Sequence, residues 1–205
     1  MLTHRADLRT TLLEAADRLM RERGARGVTT REIARAAGCS DGALYVHFAG
    51  KAQLLSALCE RILPDLHTAL GDLVNRVGVA SVADNLENIA ATALRVYRDM
   101  VPITFAIGGD PELLIHHRVA LQTAKRGPRR ALEAVAAYLV AEQRLGRVHR
   151  DADCRMAANL IIGACWQRAA LHHYFGEDIL PVDDAGYAAT LALTVMRGLE
   201  PGEKS

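Results

Sequence analysis

The stretch from Val28 to Lys51, VTTREIARAAGCSDGALYVHFAGK, constrains the chain most, because it encodes two short helices joined by a tight turn. Thr29 is a favourable N-cap and Glu32, three residues later, completes a capping box, so a helix is predicted to begin directly after Thr29. Gly38 suits the left-handed residue that ends a helix, and Ser40 is a favourable N-cap for a second one. Two short helices joined by a turn that contains glycine predict a helix-turn-helix.

The residues expected to face outward from this unit could bind a nucleic-acid backbone. Gly42 has no side chain, so the protein backbone there could approach a phosphate closely. Tyr45 and His47 carry polar tips beside the second helix, and Lys51 opens the next helix. These groups can donate hydrogen bonds to phosphate oxygens, which positions a duplex without reading its sequence. For each of them an ordinary surface role stays open.

The spacing of these residues resembles the DNA-binding signature of the TetR family of bacterial transcriptional regulators. The similarity is dense over residues 5 to 55, and beyond them it is architectural only. The resemblance implies a homodimeric repressor that a small molecule releases from its operator DNA. The residues that carry the resemblance are Ile33-Ala34-x-x-Ala37-Gly38-x-Ser40, followed by Leu44-Tyr45-x-His47-Phe48-x-x-Lys51-x-x-Leu54-Leu55.

The resemblance also implies which residues contact double-stranded DNA. Tyr45, His47 and Lys51 would contact phosphates, whereas Thr30 and Arg31 would approach the backbone or a groove. The full set of DNA-binding candidates is Thr30, Arg31, Ser40, Asp41, Gly42, Ala43, Tyr45, His47 and Lys51.

Two of these candidates depart from the family pattern. Ala43 stands where a hydroxyl residue is common, so one phosphate contact would be missing. Asp41 stands where a basic or neutral polar residue is frequent. Its carboxylate would repel phosphate, or it would accept a hydrogen bond from a cytosine amino group.

Composition and charge agree with a helical DNA reader. Apolar residues make up 50% of the 205 positions and aromatic residues only 4%, and the abundant Ala and Leu favour helices. Residues 1–51 hold 9 Lys and Arg against 6 Asp and Glu, a net +3, whereas the remainder holds 16 against 18, a net −2. No run of roughly 18 apolar residues appears, and the N-terminal sequence lacks the apolar core of a signal peptide. We therefore expect no membrane span and a cytoplasmic location.

The periodicity of apolar residues predicts an all-α fold with about nine helices. We expect an N-terminal three-helix helix-turn-helix DNA-binding domain over residues 1–50 and a larger helical domain for ligand binding and dimerisation over 51–205. One long helix is predicted from about Lys51 to Val77, with Pro64 expected to kink or split it. Another is predicted to begin near Val82 and to be closed by Pro102.

The last two predicted helices, from Asp153 to about Phe175 and from Asp183 to about Leu199, are apolar around much of their circumference. Such helices are buried on more than one side. By resemblance they would form a four-helix bundle with the same pair of a second chain, although they could instead complete the core of one protomer. The candidates for the dimer interface are Leu160, Ile161, Ala164, Leu171, Leu191 and Val195.

The few aromatic residues of the body are candidates to line a small-molecule pocket, because apolar and aromatic walls with a few polar groups are typical of such sites. Plain core packing stays open for each of them. The candidates for ligand binding are Tyr97, Met100, Phe105, His117, Tyr138, Trp166, Gln167 and Tyr174.

Two other classes of function stay open. An all-helical enzyme or metal-binding protein could use the doublets His116-His117 and His172-His173. Adjacent helical residues do not share a face, however, and the sequence holds no HExxH, Gly-rich phosphate loop or nucleophile elbow. An interaction module could keep the helix-turn-helix as a scaffold. We expect a regulator rather than an enzyme, with no cofactor and no metal.

Overall fold

The computed structural model describes residues 2–23, 27–124 and 128–199, and all regular structure in these ranges is helical. No helix in them is long and apolar enough to cross a membrane. A short 3-10 turn, Leu73–Arg76, follows the fifth helix. The α-helices are α1 (Leu2–Arg23), α2 (Thr30–Ala36), α3 (Asp41–His47), α4 (Lys51–Ile62), α5 (Pro64–Asp72), α6 (Val82–Gly108), α7 (Pro111–Ala124), α8 (Pro128–Arg144), α9 (Cys154–Phe175) and α10 (Asp184–Arg197).

The all-α class is confirmed, and the helix count over the described ranges exceeds the predicted one because the chain breaks before Pro64. α4 ends at Ile62 and α5 begins at Pro64. Proline in the first turn of a helix lacks only an N–H that would have no intrahelical partner. Of the two outcomes allowed by the sequence, kink or split, the structure shows the split.

The predicted helix end at Pro102 is wrong. α6 runs from Val82 to Gly108 with Pro102 inside it. Pro102 has no N–H to donate to the carbonyl of Arg98, and an interior proline costs about 3 kcal/mol. Its neighbours Val101 and Ile103 are both buried, and their packing offsets that cost.

The chain forms two compact units. The first contains Met1–Ile62 and Asp99–Lys125, and the second contains Leu63–Arg98 and Arg126–Ser205. The first unit therefore holds α1 to α4, the C-terminal part of α6, and α7. The division into a DNA-binding part up to residue 50 and a regulatory part after it concerns roles rather than packing, and it stays a prediction.

The helix-turn-helix shares one apolar core with the other helices of the first unit. α1 and α4 supply most of its buried residues, and α6 and α7 complete it. Because α2 and α3 pack into the same core as four other helices, their outer faces are rigidly supported. The buried residues include Leu12, Leu19, Ile33, Leu44, Phe48, Leu54, Leu58, Ile103, Ile107 and Leu113.

A network of charged side chains ties α6, α9 and α10 together in the second unit. Arg168 on α9 is buried and donates to Asp184 at 2.8 Å and to Asp178 at 2.7 Å. Arg98 on α6 donates to the same two carboxylates at 2.6 to 2.9 Å. Each buried charge thus has a hydrogen-bonded partner, which is the condition for tolerating it inside a protein. The bonds from Arg98, together with those from Arg168, lower the pKa of Asp184 to about 2.

Candidate nucleic-acid interface

Local hydrogen bonds fix the start of α2 and the turn that follows it. The Thr29 hydroxyl accepts from the Glu32 amide at 3.2 Å, and the Glu32 carboxylate accepts from the Thr29 amide at 2.9 Å. The bond from the Thr29 backbone lowers the pKa of Glu32 below its ordinary value. Gly38 has φ +71°, and the Cys39 amide donates to the Ala34 carbonyl at 2.9 Å. The capping box and the left-handed glycine are confirmed.

Ser40 and Ala43 shape the start of α3. The Ser40 hydroxyl accepts from the Ala43 amide at 3.2 Å, which confirms Ser40 as the N-cap. Because the Ala43 amide is used inside the turn and its side chain is a methyl group, Ala43 offers no donor to a phosphate. The contact that the sequence departure puts in doubt is therefore not replaced at this residue.

The outer face of α3 is accessible. Tyr45 is 55% exposed and Val46 is 62% exposed, and His47 is half-buried. Gly42 is exposed, and a Cβ atom there would meet only the Ser40 hydroxyl at 3.9 Å. Val46 was missed by the sequence analysis, although its place two residues after the buried Leu44 signals an outward direction. An exposed apolar side chain on a recognition helix can contact a thymine methyl group.

Thr30 and Tyr45 meet at the surface although they belong to different helices. Their hydroxyl oxygens lie 3.4 Å apart. Both hydroxyls can donate, and both side chains were predicted to approach the DNA backbone. The structure therefore brings the first residue of α2 and the third-last residue of α3 to one place.

Arg31 and Asp41, which the sequence analysis treated separately, form an exposed ion pair. The Arg31 Nε donates to an Asp41 carboxylate oxygen at 2.9 Å, and the side chains are 78% and 40% exposed. Such a pair contributes little to stability. It does offset the negative charge that Asp41 places at the start of α3, and it fixes the orientation of the Arg31 guanidinium.

Lys51 is the first residue of α4 and is half-buried. A cation in the first turn of a helix opposes the helix dipole, so this position does not favour lysine on grounds of helix stability. A phosphate at the same place would favour it. The location of Lys51 therefore agrees with the contact expected from the sequence.

A comparison with known families decides the identity of this unit. Residues 12–58 match the family described as "Bacterial regulatory proteins, tetR family". The matched range contains the whole helix-turn-helix and most of α4. The chain belongs to the TetR family.

Relatives and solved structures agree with this membership. The repressor KstR2 of Rhodococcus jostii is 37% identical over 101 residues, which are 45% of this chain and 50% of the relative, so the chain spans about half of the length of this curated relative. A TetR-family transcriptional regulator from Mesorhizobium loti has the same fold, with a TM-score of 0.72, 16% identity, and coverage of 96% of this chain and 98% of that one. The regulator FadR of Bacillus subtilis in complex with stearoyl-CoA gives a TM-score of 0.71 at 17% identity, with 92% and 98% covered.

The ligand-binding candidates of this TetR-family chain fall in both units. In the second unit, the rings of Tyr97 and Trp166 meet edge to face with centroids 5.4 Å apart. Burial raises the pKa of Tyr97, and the pair reads as core packing. Gln167 is exposed, and Tyr174 is 73% exposed and packs edge to face on Phe175.

The remaining candidates are equally dispersed. Tyr138, in the second unit, is buried, and its hydroxyl accepts from the Asn85 amide at 2.9 Å. In the first unit, Met100 packs against the apolar core and Phe105 is largely exposed. His117 is half-buried, and burial lowers its pKa. The structure therefore does not gather the eight candidates around one cavity within either unit, and their role in ligand binding stays a prediction.

A cleft of ≈340 Å³ lies instead between α5, the 3-10 turn and α6 in the second unit, and none of the eight candidates lines it. Its walls are polar, with Asn85 and Ile89 among its buried lining residues. The sequence analysis missed this cleft, because its residues are ordinary surface types on two helices whose packing partners could not be inferred.

The histidine doublets do not form a ligand set for a metal. Within residues 2–23, 27–124 and 128–199, no group of three or more His, Cys, Asp or Glu side chains is arranged to hold a metal ion. His172 lies 3.1 Å from Asp178 and belongs to the charged network of the second unit.

The candidates for the dimer interface divide by exposure. Leu160 is 52% exposed, whereas Ile161 and Val195 are buried inside the protomer and support their helices from within. Ala164, Leu171 and Leu191 are half-buried. Two exposed apolar residues were missed, Met156 one turn before Leu160 and Leu193 on α10.

Proposed function

We propose that this protein is a ligand-responsive transcriptional regulator, which binds a palindromic operator as a homodimer, represses transcription, and is released by a small molecule. It acts in the cytoplasm, where it meets its DNA. The observation that carries the proposal is the accessible face of α3, held on the shared core of the first unit and flanked by hydroxyl and cationic groups. Its relative KstR2 is a repressor by name, and a structural neighbour was solved with stearoyl-CoA.

In this proposal α3 enters the major groove, which admits one α-helix. Tyr45, His47 and Lys51 donate to phosphates on either side and fix the depth and direction of α3. Thr30 adds a donor beside Tyr45, since their hydroxyls lie 3.4 Å apart. These contacts position the protein on any duplex and carry no sequence information.

Base recognition comes from the residues at the exposed start and middle of α3 and from Arg31. Because Asp41 holds the Nε of Arg31 at 2.9 Å, the terminal N–H groups of the guanidinium can donate to guanine O6 and N7. Val46 can contact a thymine methyl group. The Asp41 carboxylate thus acts mainly by orienting Arg31.

Dimerisation places two copies of α3 on one face of the DNA. The exposed apolar residues Met156 and Leu160 on α9 and Leu193 on α10 form the surface for the partner, with the half-buried Ala164 and Leu191 beside them. A symmetric dimer then requires two half-sites about one helical turn, or a multiple of it, apart.

The experiment that tests the proposal is a titration of duplex DNA at several salt concentrations. Lys51→Ala should weaken binding to all duplexes alike and reduce the slope of log affinity against log salt by about one. Arg150→Ala, which removes an equally charged and well exposed side chain from the second unit, is the control and should leave the slope unchanged. Equal slopes for the parent protein and both variants would contradict the assignment of Lys51 to phosphate.

A further inference from the structure

The cleft in the second unit has a small volume and a floor that combines apolar and polar groups. Its ≈340 Å³ lies at the lower end of the range of about 300–1,000 Å³ found for small-molecule sites. The buried residues at its base are Leu73, Asn85 and Ile89. A ligand in this cleft would therefore be small and would meet both carbon surface and an amide.

Asn85 gives the base of the cleft an unused hydrogen-bond acceptor. Its side chain is 1% exposed, and its Nδ2 donates to the Val79 carbonyl and to the Tyr138 hydroxyl, both at 2.9 Å. These two bonds fix the orientation of the amide. The Oδ1 atom is buried and has no hydrogen-bond partner among the described residues. Because an unsatisfied buried acceptor is costly, a ligand that brings a donor to this oxygen gains binding free energy.

The segment that leads into α6 is held in place, so the cleft is formed before a ligand arrives. The Gly78 amide donates to the buried carboxylate of Glu142 at 3.1 Å. Arg147 donates to the Ala80 carbonyl and lies 3.3 Å from the same carboxylate. A preformed site loses less free energy to ordering on binding.

The walls of the cleft carry as many positive as negative groups. Asp65 on α5 and Arg95 on α6 form an ion pair at 2.7 Å across one end. Asp72 and Arg76 line the cleft on the side of α5 and the 3-10 turn. Two carboxylates and two guanidinium groups cancel, so the cleft favours neither an anion nor a cation.

The remaining polar lining residues, Thr68, Asn88 and Thr92, can each donate and accept hydrogen bonds. Hydroxyl groups of a ligand can do both as well, so the two sets are complementary. Leu73 and Ile89 offer apolar surface to the C–H groups of a ring. A long acyl chain, such as that of the stearoyl-CoA bound to the Bacillus subtilis regulator, would have to leave water beside charged walls.

We propose that this cleft binds a neutral polyhydroxylated molecule of about the size of a monosaccharide, with one hydroxyl donating to Asn85 Oδ1. The proposal deepens the proposed function, on which it rests for the role of this molecule as the effector. Binding itself does not depend on DNA.

The binding test uses a panel of D-glucose, D-galactose, D-xylose and myo-inositol, with D-glucuronate and decanoate as charged and apolar comparators. Saturation-transfer NMR and calorimetry on the full chain, without DNA, should show saturable binding of at least one neutral member. Asn88→Ala removes an exposed amide from the wall and should weaken binding about two- to tenfold. Asn75→Ala, at an exposed asparagine of the 3-10 turn outside the cleft, should leave binding unchanged.

A charge variant sharpens the test of ligand class. Asp72→Asn gives the cleft a net positive charge and should shift its preference toward D-glucuronate. Failure of every neutral member to bind, tighter binding of decanoate, or equal losses in Asn88→Ala and Asn75→Ala would overturn the proposal.

A separate titration of DNA distinguishes this proposal from the proposed function. If the parent protein binds DNA and a saturating sugar weakens that binding, the cleft is the effector site. If the sugar binds and leaves DNA affinity unchanged, the effector role is refuted. If the protein binds no DNA at all, the proposed function fails, whereas the result of the sugar titration still decides the cleft.

Discussion

Arg31→Ala should relax the base preference of the protein at one position of each half-site. Arg31 and Asp41 are 78% and 40% exposed, so their ion pair contributes only about 0.2–1 kcal/mol to folding, and the variant should remain folded. A bidentate contact from arginine to guanine is worth about 1–3 kcal/mol of discrimination. At 1.4 kcal/mol for each factor of ten, the preference for guanine should fall about 5- to 150-fold per half-site.

The matched control for this variant is Arg35→Ala, because Arg35 lies one turn further along α2 and is also exposed. Both variants remove one positive charge from the same helix. Arg35→Ala should weaken binding to all sequences alike, whereas Arg31→Ala should lower the ratio between the preferred base pair and the other three.

Asp41→Asn separates orientation from charge. The amide keeps the shape of the side chain but binds the Arg31 Nε less strongly, since charged hydrogen bonds are about twice as strong as neutral ones. Removing a negative charge near phosphate should raise affinity for unrelated DNA, while the preference at the Arg31 position falls. Fluorescence anisotropy with the operator and each of its single base-pair substitutions measures both effects. If Arg31→Ala lowers affinity equally for every substituted operator, as Arg35→Ala does, the assignment of Arg31 to base recognition is refuted.

Three further predictions concern the second unit and α6. Leu160→Glu should yield monomers that bind operator DNA poorly, whereas Leu145→Glu, at a leucine of similar exposure (56% against 52%) on the turn after α8, should remain dimeric by sedimentation. Pro102→Ala, which restores an N–H inside a helix that passes through both units, should change the factor by which effector weakens DNA binding, within the usual range of about 5- to 150-fold; an unchanged factor excludes α6 stiffness from coupling. Because the pKa of Asp184 is held at about 2, below its unfolded value of about 3.9, the stabilisation from its ion pairs is present above the unfolded value and is lost as pH falls toward about 2. Urea unfolding should therefore show a gap between the parent protein and Arg98→Met that narrows over this pH window, and a constant gap would contradict the ion-pair contribution.

The sequence predicted the features that short-range interactions determine. Thr29, Glu32, Gly38 and Ser40 act on neighbours within a few residues, so the capping box, the turn and both helix starts could be deduced without any knowledge of packing. The split at Pro64 follows for the same reason. Family resemblance rests on this local pattern, and the matched range of residues 12–58 coincides with it.

Features that depend on distant parts of the chain could not be deduced. The helix through Pro102 persists because its buried neighbours pack well, which no local rule reveals. Asn85 and Tyr138 lie 53 positions apart and meet through a single hydrogen bond. On an apolar helix such as α9, the sequence does not distinguish the buried Ile161 from the exposed Leu160 beside it.

The pairing of Arg31 with Asp41 illustrates a limit of residue-by-residue assignment. Taken alone, an aspartate at the start of α3 suggests repulsion from DNA, and an arginine on α2 suggests an unspecific phosphate contact. Their bond at 2.9 Å changes both interpretations, because the aspartate then orients the arginine. The turn geometry that brings the two residues together determines this, and it becomes visible only in three dimensions.

The central claim, that a symmetric pair of these helix-turn-helix units reads a palindromic operator, is tested most directly by selecting bound sequences from random double-stranded DNA and measuring the stoichiometry of the selected complex. We expect an inverted repeat whose half-site centres lie about one helical turn, or a multiple of it, apart, bound by two copies of the chain, with a guanine position that Arg31→Ala relaxes. Selected DNA with no common motif, or a single unrepeated half-site bound by one copy, would contradict the account.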